Sequence, residues 1–350
     1  MRVFVFEYIT GGGMLNSPLP PSLAEEGDIM LRALISDLAE IAGIEIHTTR
    51  DARLSRPDLP IEFHMLHDLE DFAMAWQACM ENADAVWPIA PEFSNVLEHI
   101  SETVISHGKL LLNSPPQAVH TTSSKLMTSG CLTESGISVV PTYRYEDRIP
   151  DHPGSWVIKP DDGVGCHGTR ICRDRDDLYQ QFESLQVGSE YVIQPFVHGT
   201  PTSLNILARK GEAFVLSVNH QRIAVTDNRF VLLGCVVNGH LNKRTSFHRL
   251  GREVVAALPD LWGIIGVDII DTEKELQVLE VNPRITTSYV GLKESIGMNP
   301  ASMVLDLLND KLPLPDQMLH CPLCVTQVLY SDSTSLESLF SILFSSLSLS

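Results

Sequence analysis

The stretch "LEVNPRITTSY", residues 279–289, sets a carboxylate, an amide, a proline and an arginine within a few positions, directly after the apolar run around Val278. Side chains two apart on a strand share a face, so Glu280 and Asn282 present their oxygens side by side. The preceding run "IIGVDIIDTEKELQVLEV", residues 264–281, reads as a hairpin, and a turn centred on Lys274 makes Asp268 the cross-strand partner of Glu280. Like charges directly opposite each other are destabilising unless a cation lies between them. A divalent metal meets that need most economically, and hard oxygen ligands suit Mg²⁺, which keeps several waters and is commonly completed by substrate phosphates. Arg284, just past Pro283, can reach the same phosphates with its planar fork. The plainer alternative is a solvent-facing hairpin whose charges pair across strands.

Upstream, "WVIKPDDGVGCHGT", residues 156–169, places Lys159 at a strand end before a loop holding Gly163, Gly165 and Gly168. That is the arrangement expected of a backbone cradle closing over phosphates, although a plain turn gives the same glycines. The loop does not match G-x-x-x-x-G-K-[ST], which excludes a P-loop, and "TGGGML" does not match G-x-G-x-x-G, which counts against a dinucleotide on the first domain. Cys166 reads as a small loop residue, with nothing nearby to mark an activated thiolate; His167 is a loop residue too, with phosphate contact the lesser alternative.

The bulk numbers frame these motifs. A chain of 350 residues, 44% hydrophobic and 20% charged, has room for two or three domains with real cores. A formal net charge of -19 argues against nucleic acid and anionic membranes, whose binding depends on Lys and Arg neutralising phosphates. The opening "MRVFVFEYITGGG" reads as a first strand and not a signal peptide, and no apolar run is long enough to span a bilayer. Seven scattered cysteines fit a reducing compartment, so the cytoplasm is the expected location. Cys321 and Cys324 form a C-x-x-C pair with only His320 beside it, too few ligands for a structural zinc.

Periodicity sets the layout. Residues 2–7 form a strand buried on both faces; Leu23, Ile29, Met30, Ala33, Leu34 and Leu38 recur at helical spacing, with Gly43 as a stop; "IEIHTT", "DAVWPIAPE" and "GKLLLNS" are further strands. Strand alternating with helix to about residue 112 implies a parallel, doubly wound sheet. After "NSPP" come a helix near "SSKLMTSGCLTESG", the strand "SWVIKP", the glycine loop, a helix near "RDDLYQQFESL" and the strand "EYVIQPFV". From there to about residue 283 strands dominate, beginning with a hairpin that turns at Lys210 and Gly211, so this part is an α+β region on antiparallel sheet. Residues 299–308 read as one more helix, and the Ser/Leu-biased tail beyond residue 331 is either a terminal amphipathic helix or a poorly ordered end.

In order and spacing, Lys125 in "SSKLMT", Lys159 with its glycine loop, "QPFVHG", Asp268, Glu280, Asn282 and Arg284 together resemble the ATP-grasp superfamily. The resemblance implies a Rossmann-like pre-ATP-grasp domain over residues 1–112, an α/β unit, followed by a two-subdomain ATP-grasp fold, residues 113–188 with the glycine loop and 189–310 with the metal site, and a tail from 311 to 350. It further implies that Lys125 and Lys159 contact ATP phosphates, Lys159 also reaching the adenine side. Gly163, Gly165 and Gly168 would close over ATP, and Gln194, Phe196 and Val197 would form the hinge against the adenine edge. Asp268, Glu280 and Asn282 would hold two Mg²⁺ ions, with Mn²⁺ as an alternative, and Arg284 would steady the transferring phosphoryl group. No acidic residue follows "QPFVHG" to bind ribose; Thr202 or Ser203 stands there.

"MRVFVFEYITGGG", "WPIAPE" and "LSVNHQRI" bring the chain nearest the tyramine-glutamate ligase branch of methanofuran-type cofactor biosynthesis. That implies an ADP-forming carboxylate-amine ligase with small-molecule substrates, an amino-acid carboxylate and an amine, and a homodimer as one candidate assembly. Arg222 is a candidate for phosphate or acyl-phosphate contact, against a surface pairing role. Glu7 and Thr10 stand where open α/β sheets bind ligands, against an ordinary loop after a strand; Glu92, Ser288 and Tyr289 are further candidates for the substrate pocket. A ligase joining two amino acids and a phosphotransferase using the same nucleotide grip both remain open at this stage.

Overall fold

Val3, Phe4, Val5 and Phe6 of the first strand are all apolar, which suits a strand covered on both faces. A computed structural model, describing residues 1–145, 149–166, 168–185, 190–240, 243–309 and 326–329, places β1 (Arg2–Glu7) at the centre of a five-stranded sheet. After it come α1 (Pro21–Ala39), β2 (Glu45–Asp51), β3 (Glu62–Leu66), α2 (Leu69–Asn82), β4 (Ala85–Ile89), α3 (Val96–Ser106) and β5 (Leu110–Leu111). The order is β3-β2-β1-β4-β5 and all four pairings are parallel, the doubly wound arrangement expected from the strand-helix alternation. The strand β3 was not foreseen: two of its five residues, Glu62 and His64, are polar, and only Leu66 is fully buried. Gly43, at φ +80°, ends the turn that follows α1.

Next are α4 (Pro116–Ser123), α5 (Lys125–Glu134), β6 (Tyr143–Arg144), β7 (Trp156–Pro160), β8 (Arg170–Cys172), α6 (Arg175–Glu183) and β9 (Tyr191–Pro195). Their strands make an antiparallel four-stranded sheet, β6-β9-β7-β8, over a small core of Trp156, Ile158, Leu178 and Ile193. The remaining elements are β10 (Thr200–Arg209), β11 (Glu212–Thr226), β12 (Arg229–Val237), α7 (Arg244–Ala257), β13 (Gly263–Asp271), β14 (Leu276–Asn282), α8 (Leu292–Ile296), α9 (Pro300–Leu307) and β15 (Thr326–Leu329). They build the antiparallel sheet β14-β13-β10-β11-β12-β15. The hairpin turn falls at Lys210 and Gly211 as read from the sequence, both in the left-handed region, and Asp227 and Asn228 make a second tight turn the same way.

Strands dominate up to residue 283 as expected, but the helix α7 among them was not foreseen. Its Phe247, Leu250, Val254 and Val255 recur at helical spacing and pack under the large sheet, with Gly251 giving close approach to Val215, where an added Cβ would lie 2.6 Å from a side-chain carbon. Residues 138–140 lie along the free edge of β14: Val140 N–H donates to Val278 O (2.9 Å) and Val278 N–H to Ser138 O (3.0 Å). The apolar stripe of α1 shares one continuous core with β1, β4, α9 and the outer face of the large sheet, so the first sheet and the large sheet are packed together through it. Tyr289 reinforces that joint, its hydroxyl donating to Asp37 of α1 at 2.8 Å, while Lys293 pairs with Asp37 and Glu40.

His167, Cys321, Cys324 with His320, and the tail beyond residue 331 lie outside the described residues. No helix among the described residues is long and apolar enough to cross a membrane.

Candidate active site

The pairing of Asp268 with Glu280 is observed, but not by a turn centred on Lys274 alone. The turn Thr272–Glu275, fastened by Thr272 N–H to Glu275 O (3.0 Å), pairs Asp271 with Leu276 and Ile269 with Val278. Continued without interruption, that register would set Asp268 against Leu279 and turn Glu280 to the opposite face. A bulge between Asp268 and Ile269 leaves Leu279 as the extra residue and returns Glu280 to the side of Asp268. Ser203 of β10 pairs with Asp268 on its other flank.

The two carboxylates therefore stand side by side in a partly buried setting. Burial and the neighbouring Glu280 charge push Asp268 well above the usual carboxylate range. Burial acts the same way on Glu280, but the ammonium groups of Lys125 and Lys159 outweigh it and hold Glu280 below its ordinary value. Gln221 donates to Asp268 at 3.0 Å, Asn282 approaches it at 3.4 Å, and Lys125 lies 3.5 Å from Glu280. With one acid forced towards its neutral form, the pair is short of positive charge, the condition a divalent cation relieves. Among the described residues no group of three or more His, Cys, Asp or Glu converges, so the donor set is two carboxylates plus the Asn282 amide, suited to an ion that keeps part of its water.

These residues line one cavity of about 430 Å³ between the four-stranded sheet and the large sheet. Its polar end carries Lys125, Lys159, Asp268, Glu280, Asn282 and Arg284, and its apolar end carries Val157, Phe196, Ile223, Phe230, Leu232 and Ile270. Gly163, Gly165, Gln194, Val197, Ser203 and Ser288 also line it. Burial drives Lys159 down to about 8, against the pull of Glu280. Lys125 is already braced, donating to Asp161 O (3.1 Å) and Gly163 O (2.7 Å), and so ties the start of the glycine loop to the carboxylate pair. At the end of β9, Phe196 N–H is taken by Ser155 O (2.8 Å) and Gln194 donates to Thr142 (2.9 Å), while the Phe196 ring lies parallel to Phe230 at 6.0 Å between centroids. Ser203 faces the cavity and accepts from Asn219 at 3.2 Å; Thr202 is fully buried and does not line it.

Other residues singled out from the sequence fall elsewhere. Gly168 sits behind the loop, its absent Cβ 2.9 Å from Pro160. Arg222, on β11 opposite Gly234, is half-buried and not on the cavity wall. Tyr289 is buried against Asp37, and Ser288 donates to Asn205 at 3.0 Å. Glu92, buried, holds the half-buried Arg284 at 2.8 Å, joining the first and large sheets. Glu7 accepts from the Thr10 backbone and hydroxyl, both at 2.6 Å, and from Ile9 N–H at 3.1 Å, so these two residues close a turn at the end of β1. Among the cavity residues not anticipated are Gln221, on β11, and Glu26, on α1, whose carboxyl burial pushes up to about 7. Only the helical phase of α1 hinted at Glu26, because its neighbour Arg284 lies at the other end of the sequence.

The sequence matches the ATP-grasp domain over residues 99–288 and the pre ATP-grasp 3 domain over residues 44–119. The chain belongs to the ATP-grasp family, and it is a ligase of that family, which forms C–N bonds with release of ADP. It is similar to the tyramine–L-glutamate ligase of Methanocaldococcus fervens, 25% identical over 294 residues, covering 83% of this chain and 89% of the relative. Among solved structures, an ATP-grasp superfamily protein from Archaeoglobus fulgidus aligns with a TM-score of 0.67 at 21% identity, covering 87% of this chain and 88% of the other. D-alanine–D-alanine ligase from Bacillus anthracis, complexed with ATP, aligns with a TM-score of 0.59 at 17% identity, covering 89% and 96%.

Proposed function

We propose that this ligase joins the γ-carboxylate of glutamate to the amine of tyramine through an acyl-phosphate intermediate formed from ATP. The observation that carries the ATP-dependent chemistry is the convergence of the Asp268–Glu280 pair, Lys125, Lys159 and Arg284 on one cavity with an opposite apolar end. The choice of acid and amine is supported by the relative in M. fervens, which spans most of both chains.

In this reading the purine lies against Phe196, Phe230 and Ile270, and the triphosphate runs towards the lysines. Asp268, Glu280 and Asn282 would hold Mg²⁺, which would supply neutralisation of charge developing on the phosphoryl oxygens. Lys159 carries its charge without a hydration shell and so acts on the phosphates more strongly than an exposed ammonium would. Gly163, Gly165 and Gly168 allow the loop backbone to fold over the phosphates and exclude water, which would otherwise hydrolyse the acyl phosphate. Arg284, oriented by Glu92, steadies the phosphoryl group during transfer to the substrate carboxylate. The amine then attacks the acyl carbon, forming the C–N bond as the bond to phosphate breaks. No covalent enzyme nucleophile is needed, and Cys166 fits none: burial pushes its thiol up to about 12.

The test is phosphate release from Mg-ATP with glutamate across a panel of amines and amino acids, with product masses recorded. Release and a glutamyl-tyramine mass with tyramine alone support the proposal. Release with an amino-acid acceptor replaces the amine, and a phosphorylated product without free phosphate replaces ligation with phosphotransfer.

A further inference from the structure

Beside Arg284 the large cavity meets a second one of about 70 Å³, and Glu26, Gly165 and Arg284 line both. The walls of the second cavity are apolar, with Ile9, Leu23, Met30, Ile89, Pro91 and Phe93 around it. Two carboxylates face it, and they differ. The oxygens of Glu7 are occupied by Thr10 and Ile9, and its carboxyl packs on Gly27, where a Cβ would stand 2.6 Å away. Glu26 accepts no hydrogen bond from another described residue and lies at the neck between the cavities.

Arg284 does not cancel that charge on its own terms. One of its terminal nitrogens donates to Glu92 at 2.8 Å and the other to Ile285 O at 3.2 Å, so its positive charge is matched first by the buried Glu92. It is the sole cationic side chain among the described residues lining the second cavity. A hydrocarbon-walled slot with a carboxylate at its mouth and no cation to spare takes an ammonium on an apolar body, and it disfavours a group bearing its own carboxylate.

We propose that this second cavity is the acceptor subsite of the ligase, taking a primary amine with an apolar body and no carboxylate, and that Glu26 holds its ammonium and accepts its proton. The inference rests on the ligase reading above and assigns the residues that select the second substrate. The step balances simply. Glu26 takes one ammonium proton, the freed lone pair attacks the acyl carbon, the C–O bond to the phosphoryl group breaks, and the second nitrogen proton leaves on the released phosphate. Burial, which brings the Glu26 carboxyl up to about 7 against the charge of Arg284 and alongside that of Glu25, suits a group that is charged when it binds the amine and basic enough to take the proton.

The experiment compares two acceptors on the same acyl phosphate in wild type and Glu26→Gln: tyramine, and hydroxylamine, which is uncharged near neutral pH and needs no carboxylate to bind or deprotonate it. With ATP, Mg²⁺ and glutamate, the expected result is a kcat/KM for tyramine lowered on the order of 100-fold or more, with hydroxamate formation within about twofold of wild type. Preserved hydroxamate formation also certifies the fold and the first half-reaction. If tyramine and hydroxylamine rates fall together, or neither falls, Glu26 does not serve the acceptor and the inference is overturned while the ligase reading stands. If wild type accepts only amino acids, the stated amine class is wrong. If wild type yields neither amide nor hydroxamate, the ligase reading itself fails, and the subsite with it.

Discussion

The two walls of the large cavity are built by different means. Its acidic wall is strand-borne: Asp268, Glu280, Ser203 and Gln221 sit on neighbouring strands of one sheet, each fixed by backbone pairing. Its opposite wall is a loop lined by Gly163 and Gly165, with Cys166 also held at φ +62° and Gly168 packed behind it against Pro160. The strand wall is arranged before any ligand arrives. Lys125, bonded to Gly163 O and set against Glu280, links the loop wall to it.

The largest effect should come from breaking the strand wall. Glu280→Gln keeps the shape and removes one metal charge, so turnover should drop on the order of 1,000-fold or more, since metal charge stabilisation supplies several kcal/mol. Circular dichroism and cooperative melting should be retained. An active variant would refute the metal assignment.

The next prediction sets the acidic wall against the junction with α1. Glu26 has a folded value near 7 against an ordinary 4.5, so between those pH values the folded chain binds more protons than the unfolded one. Stability then falls as pH rises through this window, by about 3 kcal/mol for this group, and is fully retained below it. Arg284 and Glu25 are the charges that act on it. Asp268 and Asp37 are also raised and add slope of the same sign, so the informative quantity is the difference between wild type and Glu26→Gln in denaturant melts at pH 5 and pH 7.5. Equal slopes in the two proteins would mean that Glu26 is solvated.

Ligand binding should sharpen the contrast between the walls. Mg-ATP at about 100 times its Kd should stabilise wild type by about 2.7 kcal/mol, and the same nucleotide with EDTA should give much less. Protease cleavage within the glycine loop should slow under the same conditions. Unchanged melting and cleavage would remove ATP from this cavity.

What could be read in the sequence follows the same division. The parallel first sheet and the turn at Lys210 and Gly211 obey short, regular periods, and periods are visible in one dimension. The bulge at Leu279 is not, because it is fixed by competition between turn geometry and which face is buried; the pairing was foreseen from a turn centre that the structure does not use. Glu26, Gln221 and the tie between Glu92 and Arg284 depend on which faces of distant elements meet, and nothing local encodes that. Tyr289 illustrates the converse: adjacent to a cavity residue in sequence, it points to α1 and locks the sheets together.

The smallest effect comes from comparing two glycines within the loop wall. Gly165 and Gly168 both have positive φ, +59° and +72°, so alanine at either costs roughly 1–2 kcal/mol of local backbone strain. Their surroundings differ. Nothing lies within 4 Å of a Cβ at Gly165, whereas at Gly168 it would stand 2.9 Å from the Pro160 ring, next to Lys159. If the loop acts only by closing over phosphates, Gly165→Ala, on the cavity side, should raise the KM for ATP several-fold with little change in melting. Gly168→Ala should instead displace Pro160 and lower both kcat and thermal stability. Matching effects at the two positions would mean that backbone strain alone governs the loop, and that its packing on β7 does not help to place Lys159.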